Sequence, residues 1–227
     1  MERSQAMQEQ SRSSKVLIMS EVVDLDTVID MGEELNHKTR IAIFASGSGS
    51  NFEALAVACK EGKVDAEVAL MVCDKPSAKV IERAERLGIE ALVLSPKSFE
   101  TKQQYEEAIL ARLSELQVEL ICLAGYMRII TDVILDAYPE RIMNVHPSIL
   151  PAFKGAKAIE QALAYGVKYF GVTIHLVTPE LDSGAILDQE AFRYEGHKVA
   201  ELEELVHKTE HPLYIRTLQK FIEELNS

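Results

Sequence analysis

Short, mostly apolar runs alternate with amphipathic stretches from Arg40 onward, and that rhythm leaves few folds open. The runs are Ile41 to Ala45, Val68 to Cys73, Ile89 to Leu94, Leu120 to Ala124 and Ile142 to Val145. Runs of this length with so few polar residues suit strands buried on both faces, which occur in parallel sheets covered by helices. Between them lie helical patterns. One follows Asn51, read as its cap, with apolar positions Phe52, Leu55, Ala56 and Cys59. Others run from Ala78 to Leu87, closed by Gly88, from Tyr105 to Leu116, and from Asp132 to Tyr138. Strand and helix in strict turn predict an α/β fold: a doubly wound, mostly parallel sheet with helices on both faces.

After Pro151 the pattern changes. A helix is expected over Ile159 to Tyr165, a long strand over Phe170 to Val177, a turn from Thr178 to Gly184, and a strand over Ile186 to Phe192. Two closing helices, Lys198 to Glu210 and Leu213 to Leu225, are expected to be separated near Pro212. Residues 39–227 therefore read as one domain. Residues 1–38 read as an N-terminal extension, partly disordered or a leader or tag. Met1 to Ser14 has almost nothing to bury. Within Lys15 to Asn36, Val16 to Met19 are apolar, and Val22, Leu25, Val28, Ile29 and Leu35 recur at roughly helical spacing.

Charge narrows the partners. The net charge of −12 argues against nonspecific binding to nucleic acid or to an anionic membrane. It leaves room for a small anionic ligand, because loop amides and helix ends bind phosphate locally. Cys59, Cys73 and Cys122 lie inside apolar runs with no CxxC spacing, as reduced core thiols of a cytoplasmic protein do. No apolar run approaches the ~18 residues that span a bilayer.

Two segments carry most of the chemistry. Ser46-Gly47-Ser48-Gly49-Ser50-Asn51 joins the first strand to the first helix, where small residues and a helix N-terminus suit an anion. No Gly-Lys-Ser/Thr follows, so it is not a Walker loop, and Phe52 spoils a dinucleotide fingerprint. Asp74, ending the next strand, speaks only weakly for a nucleotide cofactor. The second segment is Asn144-Val145-His146-Pro147-Ser148-Ile149-Leu150-Pro151. If a strand runs through it, Asn144 and His146 point to one side. An amide donor and an imidazole held together suit acyl or formyl transfer; alone, the same residues also fit a turn and a packed histidine. Asp182 can serve the turn, or hold His146 if the loops meet, and His175 can be a core histidine or help hold Asp182. Tyr126 and Arg128 follow a strand's C-terminal end, where open sheets place ligands. His207-Lys208-Thr209-Glu210-His211 matches an inverted-zincin string. Pro212 is expected to interrupt the helix that would present the two histidines and no further carboxylate lies well downstream, so Glu210 reads better as an acceptor for a ligand.

Together with Ala124-Gly125-Tyr126-Met127-Arg128 and Leu181-Asp182-Ser183-Gly184, these segments resemble the phosphoribosylglycinamide formyltransferase family (glycinamide ribonucleotide transformylase) in order and spacing, from about Arg40 to the C-terminus. The resemblance implies a formyltransferase or Rossmann-like fold. It implies formyl transfer from 10-formyltetrahydrofolate to the amine of glycinamide ribonucleotide, in purine biosynthesis. It puts the ribonucleotide on Gly49, Ser50 and Asn51 and beside His207, Lys208, Thr209 and Glu210. It puts folate near Lys102, along Met127, Arg128, Ile129 and Ile130, at Asn144, and along Thr178, Pro179, Glu180, Leu181 and Asp182. His146 is then the catalytic acid, Asn144 the oxyanion donor, and Asp182 the group that sets the histidine's protonation. No metal and no covalent enzyme intermediate are expected, and a monomer or homodimer fits. Ala185 and Ile215 stand where the family commonly has proline, which bears on loop geometry nearby.

Two relatives with the same folate chemistry compete. Methionyl-tRNA formyltransferase carries an extra C-terminal domain and binds a polyanion, which the net charge disfavours. Formyltetrahydrofolate deformylase has a fuller N-terminal domain than about 38 residues supply. A noncatalytic nucleotide-binding module would use the glycine loop and leave His146 idle.

Overall fold

The structure is a computed structural model that describes residues 16–18, 21–23 and 38–227. The first unit, Met1–Lys38, contains a small antiparallel hairpin, β1 (Val16–Ile18) with β2 (Glu21–Val23), in which Val16 faces Val23. Val22 is thus in a strand rather than at the start of a helical stripe, as suits β-branched valines. Leu25 to Leu35 lie outside the described residues.

The second unit, Thr39–Ser227, holds a seven-stranded sheet. Its strands are β3 (Thr39–Ala45), β4 (Ala66–Cys73), β5 (Ala91–Val93), β6 (Leu120–Leu123), β7 (Ile142–His146), β8 (Tyr169–Leu176) and β9 (Ile186–Arg193). Their spatial order is β5-β4-β3-β6-β7-β8-β9. From β5 to β7 all neighbours are parallel, whereas β8 runs antiparallel to β7, and β9 to β8. The helices are α1 (Ser50–Lys60), α2 (Val80–Leu87), α3 (Lys102–Glu115), the single turn α4 (Asp132–Leu135), α5 (Ala158–Tyr165) and α6 (Val199–Leu225). None of the described helices is long and apolar enough to cross a membrane.

The unbroken apolar run of β3 serves two cores at once. Ile41, Ile43 and Ala45 pack with Phe52 and Leu55 of α1, Val80 of α2 and Leu213 of α6. Ala42 and Phe44 pack with Tyr105 and Ile109 of α3 and Ile134 of α4. Period-two alternation sends successive side chains to opposite faces, so a strand with helices on both sides has no place for a polar residue. Cys59, Cys73 and Cys122 are buried in the first of these cores.

Several boundaries differ from those read in the sequence. α3 begins a turn earlier than Tyr105, because Thr101 caps it by accepting the Gln104 amide at 3.1 Å. α4 ends at Leu135 rather than Tyr138. Asn51 does not cap α1. The cap position is Gly49, with φ 77°, and Asn51 lies inside the helix. The two closing helices are one, α6, with Pro212 inside it. A proline there removes one backbone donor, but tertiary packing overrides the break. Leu202, Val206, Leu213, Leu218 and Ile222 on either side of it are all buried in the same core. The Tyr214 hydroxyl also reaches the carbonyls of Leu123 and Met143. Ile215, expected to affect a loop, is mid-helix.

Candidate active site

Chain order creates the crevice. The chain runs outward from β3 to β5, then returns to place β6 on the other side of β3. The loops leaving β3 and β6 therefore diverge, and open α/β sheets bind ligands at such a switch point. Here the two loops are tied at their base. Ser46 N donates to Gly125 O at 3.1 Å, and Ser46 Oγ accepts from Met127 N at 2.9 Å.

Gly49 turns the first loop into α1. Its positive φ is open to glycine, and a Cβ there would lie 2.5 Å from Val80 Cγ2. The amides that open α1 have no partner within the helix, so Ser50 and Asn51 present N–H groups to an anion. The Asn51 amide group donates to Glu210 Oε2 at 2.8 Å, joining the start of α1 to α6. Burial pushes the Glu210 carboxyl up, and the Asn51 bond and the nearby His207 pull against it. Arg83 braces the loop from below, with Nε donating to Ser48 O at 2.8 Å and an ion pair to Glu53. His207 and Lys208 are exposed on α6, and Thr209 turns its hydroxyl onto Leu205 O.

The second half of the site is built across β7 and β8. Asn144 and His146 share a face of β7 and pair in register with His175 and Thr173 of β8. Asn144 Nδ2 lies 3.1 Å from His175 Nε2, and His175 Nδ1 lies 2.8 Å from Leu176 O. The carbonyl requires the proton on Nδ1, so Nε2 accepts from the Asn144 amide. Burial pushes the His175 imidazole below its ordinary value, which keeps this neutral tautomer in place. The result orients Asn144, with one N–H held by His175 and the other available to a ligand.

His146 is buried with an acceptor at each ring nitrogen. Nε2 is 2.9 Å from Phe153 O, and Nδ1 is 3.4 Å from Asp182 Oδ2. An imidazolium, with a proton on each nitrogen, satisfies both. Asp182 holds its place with φ 48° by accepting from Gly155 N at 2.7 Å, and its other oxygen is 3.6 Å from His175 Nε2. Thus the loops after β7 and β8 do meet, and Asp182 lies behind both histidines.

Residues 39–218 match the family model described as formyl transferase. The chain belongs to the formyl transferase family. It is 48% identical over 184 residues to phosphoribosylglycinamide formyltransferase of Bacillus subtilis (strain 168), covering 81% of this chain and 94% of that one. It is 36% identical over 200 residues to the human trifunctional purine biosynthetic protein adenosine-3, covering 85% of this chain and 20% of that much longer one. A crystal structure of glycinamide ribonucleotide transformylase 1 from Geobacillus kaustophilus superposes with a TM-score of 0.80 at 47% identity, covering 82% of this chain and 99% of that one.

The remaining residues expected of a formyl transferase lie after β6, after β8 and at the start of α3. Met127 and Ile129 are exposed, Ile130 is buried, and the Arg128 guanidinium lies 5.7 Å from the centre of the Tyr105 ring with Nε buried and unpartnered. Thr178, Pro179, Glu180 and Leu181 are exposed on the turn that delivers Asp182, closed by Thr178 Oγ1 donating to Glu180 O. Ala185, beside Gly184, accepts the Leu176 amide through its carbonyl. Lys102 is exposed at the start of α3, one turn before Tyr105, whose hydroxyl meets that of Tyr126 at 2.7 Å. Tyr105, Phe153 and Gly155 escaped the sequence reading. Tyr105 read as a helix residue, and the other two contribute backbone atoms, which residue type does not reveal.

Proposed function

We propose that this chain transfers a formyl group from 10-formyltetrahydrofolate to the amine of glycinamide ribonucleotide, in purine (IMP) biosynthesis. It acts as a cytoplasmic enzyme on two small molecules, as a monomer or homodimer. One observation carries the reading. A half-engaged Asn144 amide and a doubly held His146 share one face of β7, with Asp182 behind the imidazole. The high identity to a bacterial enzyme of that name, over nearly its whole length, supports the choice of substrates.

In this reading the substrate phosphate rests on the amides of Gly49, Ser50 and Asn51, and Glu210 with residues from His207 faces the rest of the ribonucleotide. Folate lies along Met127 to Ile130 and Thr178 to Asp182. The amine nitrogen attacks the formyl carbon, and the carbonyl electrons move onto oxygen. The second N–H of Asn144 donates to that oxyanion. Once its Nε2 exchanges Phe153 O for the substrate, His146 gives that proton to the departing folate nitrogen and regains one from the attacking amine, while Asp182 at Nδ1 steadies the imidazolium. The oxygen's electrons then reform the carbonyl as the bond to folate breaks.

The test mixes the protein with 10-formyltetrahydrofolate and glycinamide ribonucleotide and follows folate release and formylated product together. Release should require the ribonucleotide and match product one to one. Equal release without it would refute the proposal in favour of deformylation.

A further inference from the structure

The sheet row that contains His146 continues beyond it. His146 is opposite Thr173 on β8, and Thr173 is opposite Gln189 on β9. Residues in register share a face, so Gln189 belongs to the same polar stripe as the catalytic pair. Its amide nitrogen donates to Thr173 Oγ1 at 2.8 Å and to Leu150 O at 3.0 Å. Thr173 in turn donates its hydroxyl to Ser148 O at 2.7 Å and accepts from Leu150 N at 3.1 Å. Both N–H groups of Gln189 are used, and the Thr173 oxygen gives its one proton and takes two. Four mutual hydrogen bonds in a part-buried setting hold these atoms tightly.

What it holds is the start of the segment that leaves His146. Ser148 and Leu150 are fixed by it, and Ser148 Oγ donates to Ala152 O at 2.6 Å. Next comes Phe153, whose carbonyl takes the His146 Nε2 proton, and then Gly155, whose amide holds Asp182. The imidazole and its carboxylate are thus both positioned by one loop, anchored at its root by Gln189 and Thr173.

We infer that Gln189 is a positioning residue for formyl transfer, acting through Thr173 and the 148–155 loop on the orientation of His146 and Asp182. This rests on the reading of His146 as the catalytic acid. Gln189→Met keeps volume and removes both donors. Misplacing a reacting group by about 1 Å can cost about 100-fold in rate, so kcat should fall by about 10- to 100-fold. KM for the ribonucleotide should change by no more than about twofold, because the phosphate loop after β3 is untouched. Thr173→Val removes the same anchor from its other side and should behave alike. Thr173→Ser keeps the hydroxyl and should retain most of the turnover. Nuclear magnetic resonance of the His146 ring should show its signals moved in the first two variants and unmoved in the serine variant. Ile222→Ala, near the end of α6 in the core on the other face of the sheet, supplies a control of lowered thermal stability with unchanged kcat and ring signals.

The inference is overturned if Gln189→Met and Thr173→Val keep kcat within about twofold of the parent. It is also overturned if their loss is matched by Ile222→Ala, or if the His146 signals stay in place. Full turnover by His146→Ala would instead remove the reading on which it rests. Moved ring signals in Gln189→Met would then still establish the anchor, but not its part in catalysis.

Discussion

Gly49→Ala tests whether the phosphate loop depends on close packing as well as on glycine's backbone. At φ 77° an alanine carries a left-handed cost of roughly 1–2 kcal/mol. Its Cβ would also lie 2.5 Å from Val80 Cγ2, 2.6 Å from Val80 Cβ and 3.0 Å from Val80 Cα. Val80 is wholly buried at the start of α2, and its N–H is tied to Gly47 O, so it has little freedom to move. Overpacking of this kind costs about 1–3 kcal/mol, for a sum of roughly 2–5 kcal/mol. That is a large part of a typical domain's stability. Partner variants separate the two terms. Val80→Ala removes Cγ2 but leaves Cβ in the way, so it should relieve little. Val80→Gly removes both, and in that background Gly49→Ala should cost about 1–3 kcal/mol less than in the parent. Urea unfolding of the six chains measures the coupling. The Michaelis constant for the ribonucleotide, expected to rise in Gly49→Ala, measures displacement of the Ser50 and Asn51 amides. Equal destabilisation in all three backgrounds would refute the packing argument, and none in the parent would refute the whole account.

Asn144→Ala should lower kcat by about 100- to 1,000-fold, His146→Ala by roughly 100- to 10,000-fold, and Asp182→Asn strongly as well, with losses that do not add. Ribonucleotide binding, followed by calorimetry, should survive in all three; turnover within a few-fold of the parent would defeat the assignment. Glu210→Gln keeps an acceptor for Asn51 and removes a buried charge. The Glu210 carboxyl is raised, so the parent should lose stability as pH rises through that raised value. The variant should be flatter with pH in urea titrations and bind ribonucleotide more weakly. Burial lowers His175 and His211, so the folded chain takes up fewer protons than the unfolded one and should lose stability as pH falls below about 6.5. His211→Asn should reduce that slope. Removal of residues 1–37 should leave folding and most turnover intact, because Thr39–Ser227 holds the whole seven-stranded sheet and the family match begins at residue 39. Insoluble or inactive truncated protein would contradict this.

The doubly wound sheet was legible because β3, β4 and β6 are apolar on both faces, a pattern that only a sheet between helix layers satisfies. Asn144 and His146 were legible as a pair because a strand's period of two is local. The partners of Asn51 and Asn144 were not. Asn51 has the residue type of a helix cap, yet its amide bonds Glu210, which is 159 positions away. Asn144 depends on His175, and that contact follows from β8 turning antiparallel against β7, which composition does not dictate. Pro212 misled for the opposite reason. The local rule against proline in a helix is sound, but the buried face on either side outweighs one missing hydrogen bond.

The change from parallel to antiparallel pairing also explains why the polar stripe lies where it does. Met143, Val145, Val172 and Ile174 turn one face of β7 and β8 into the core beneath α6, as in the parallel half. On the opposite face, Ile142 still packs in the core shared with α3 and α4, but α4 is a single turn. Beyond Ile142 the same face carries Asn144 and His146, then Thr173 and His175 of β8 and Gln189 of β9. A helix over these residues would bury polar groups against apolar side chains, at a cost unless each were paired. The loop from Pro147 to Gly155 meets His146, Thr173 and Gln189 instead, and its carbonyls and amides supply the pairing: Ser148 O and Leu150 O to the Thr173–Gln189 anchor, Phe153 O to His146, Gly155 N to Asp182. Antiparallel strands need no crossover helix between them, so this half of the sheet can leave one face to a loop. A backbone can satisfy a buried imidazole and carboxylate from several directions at once, which the apolar side of a helix cannot.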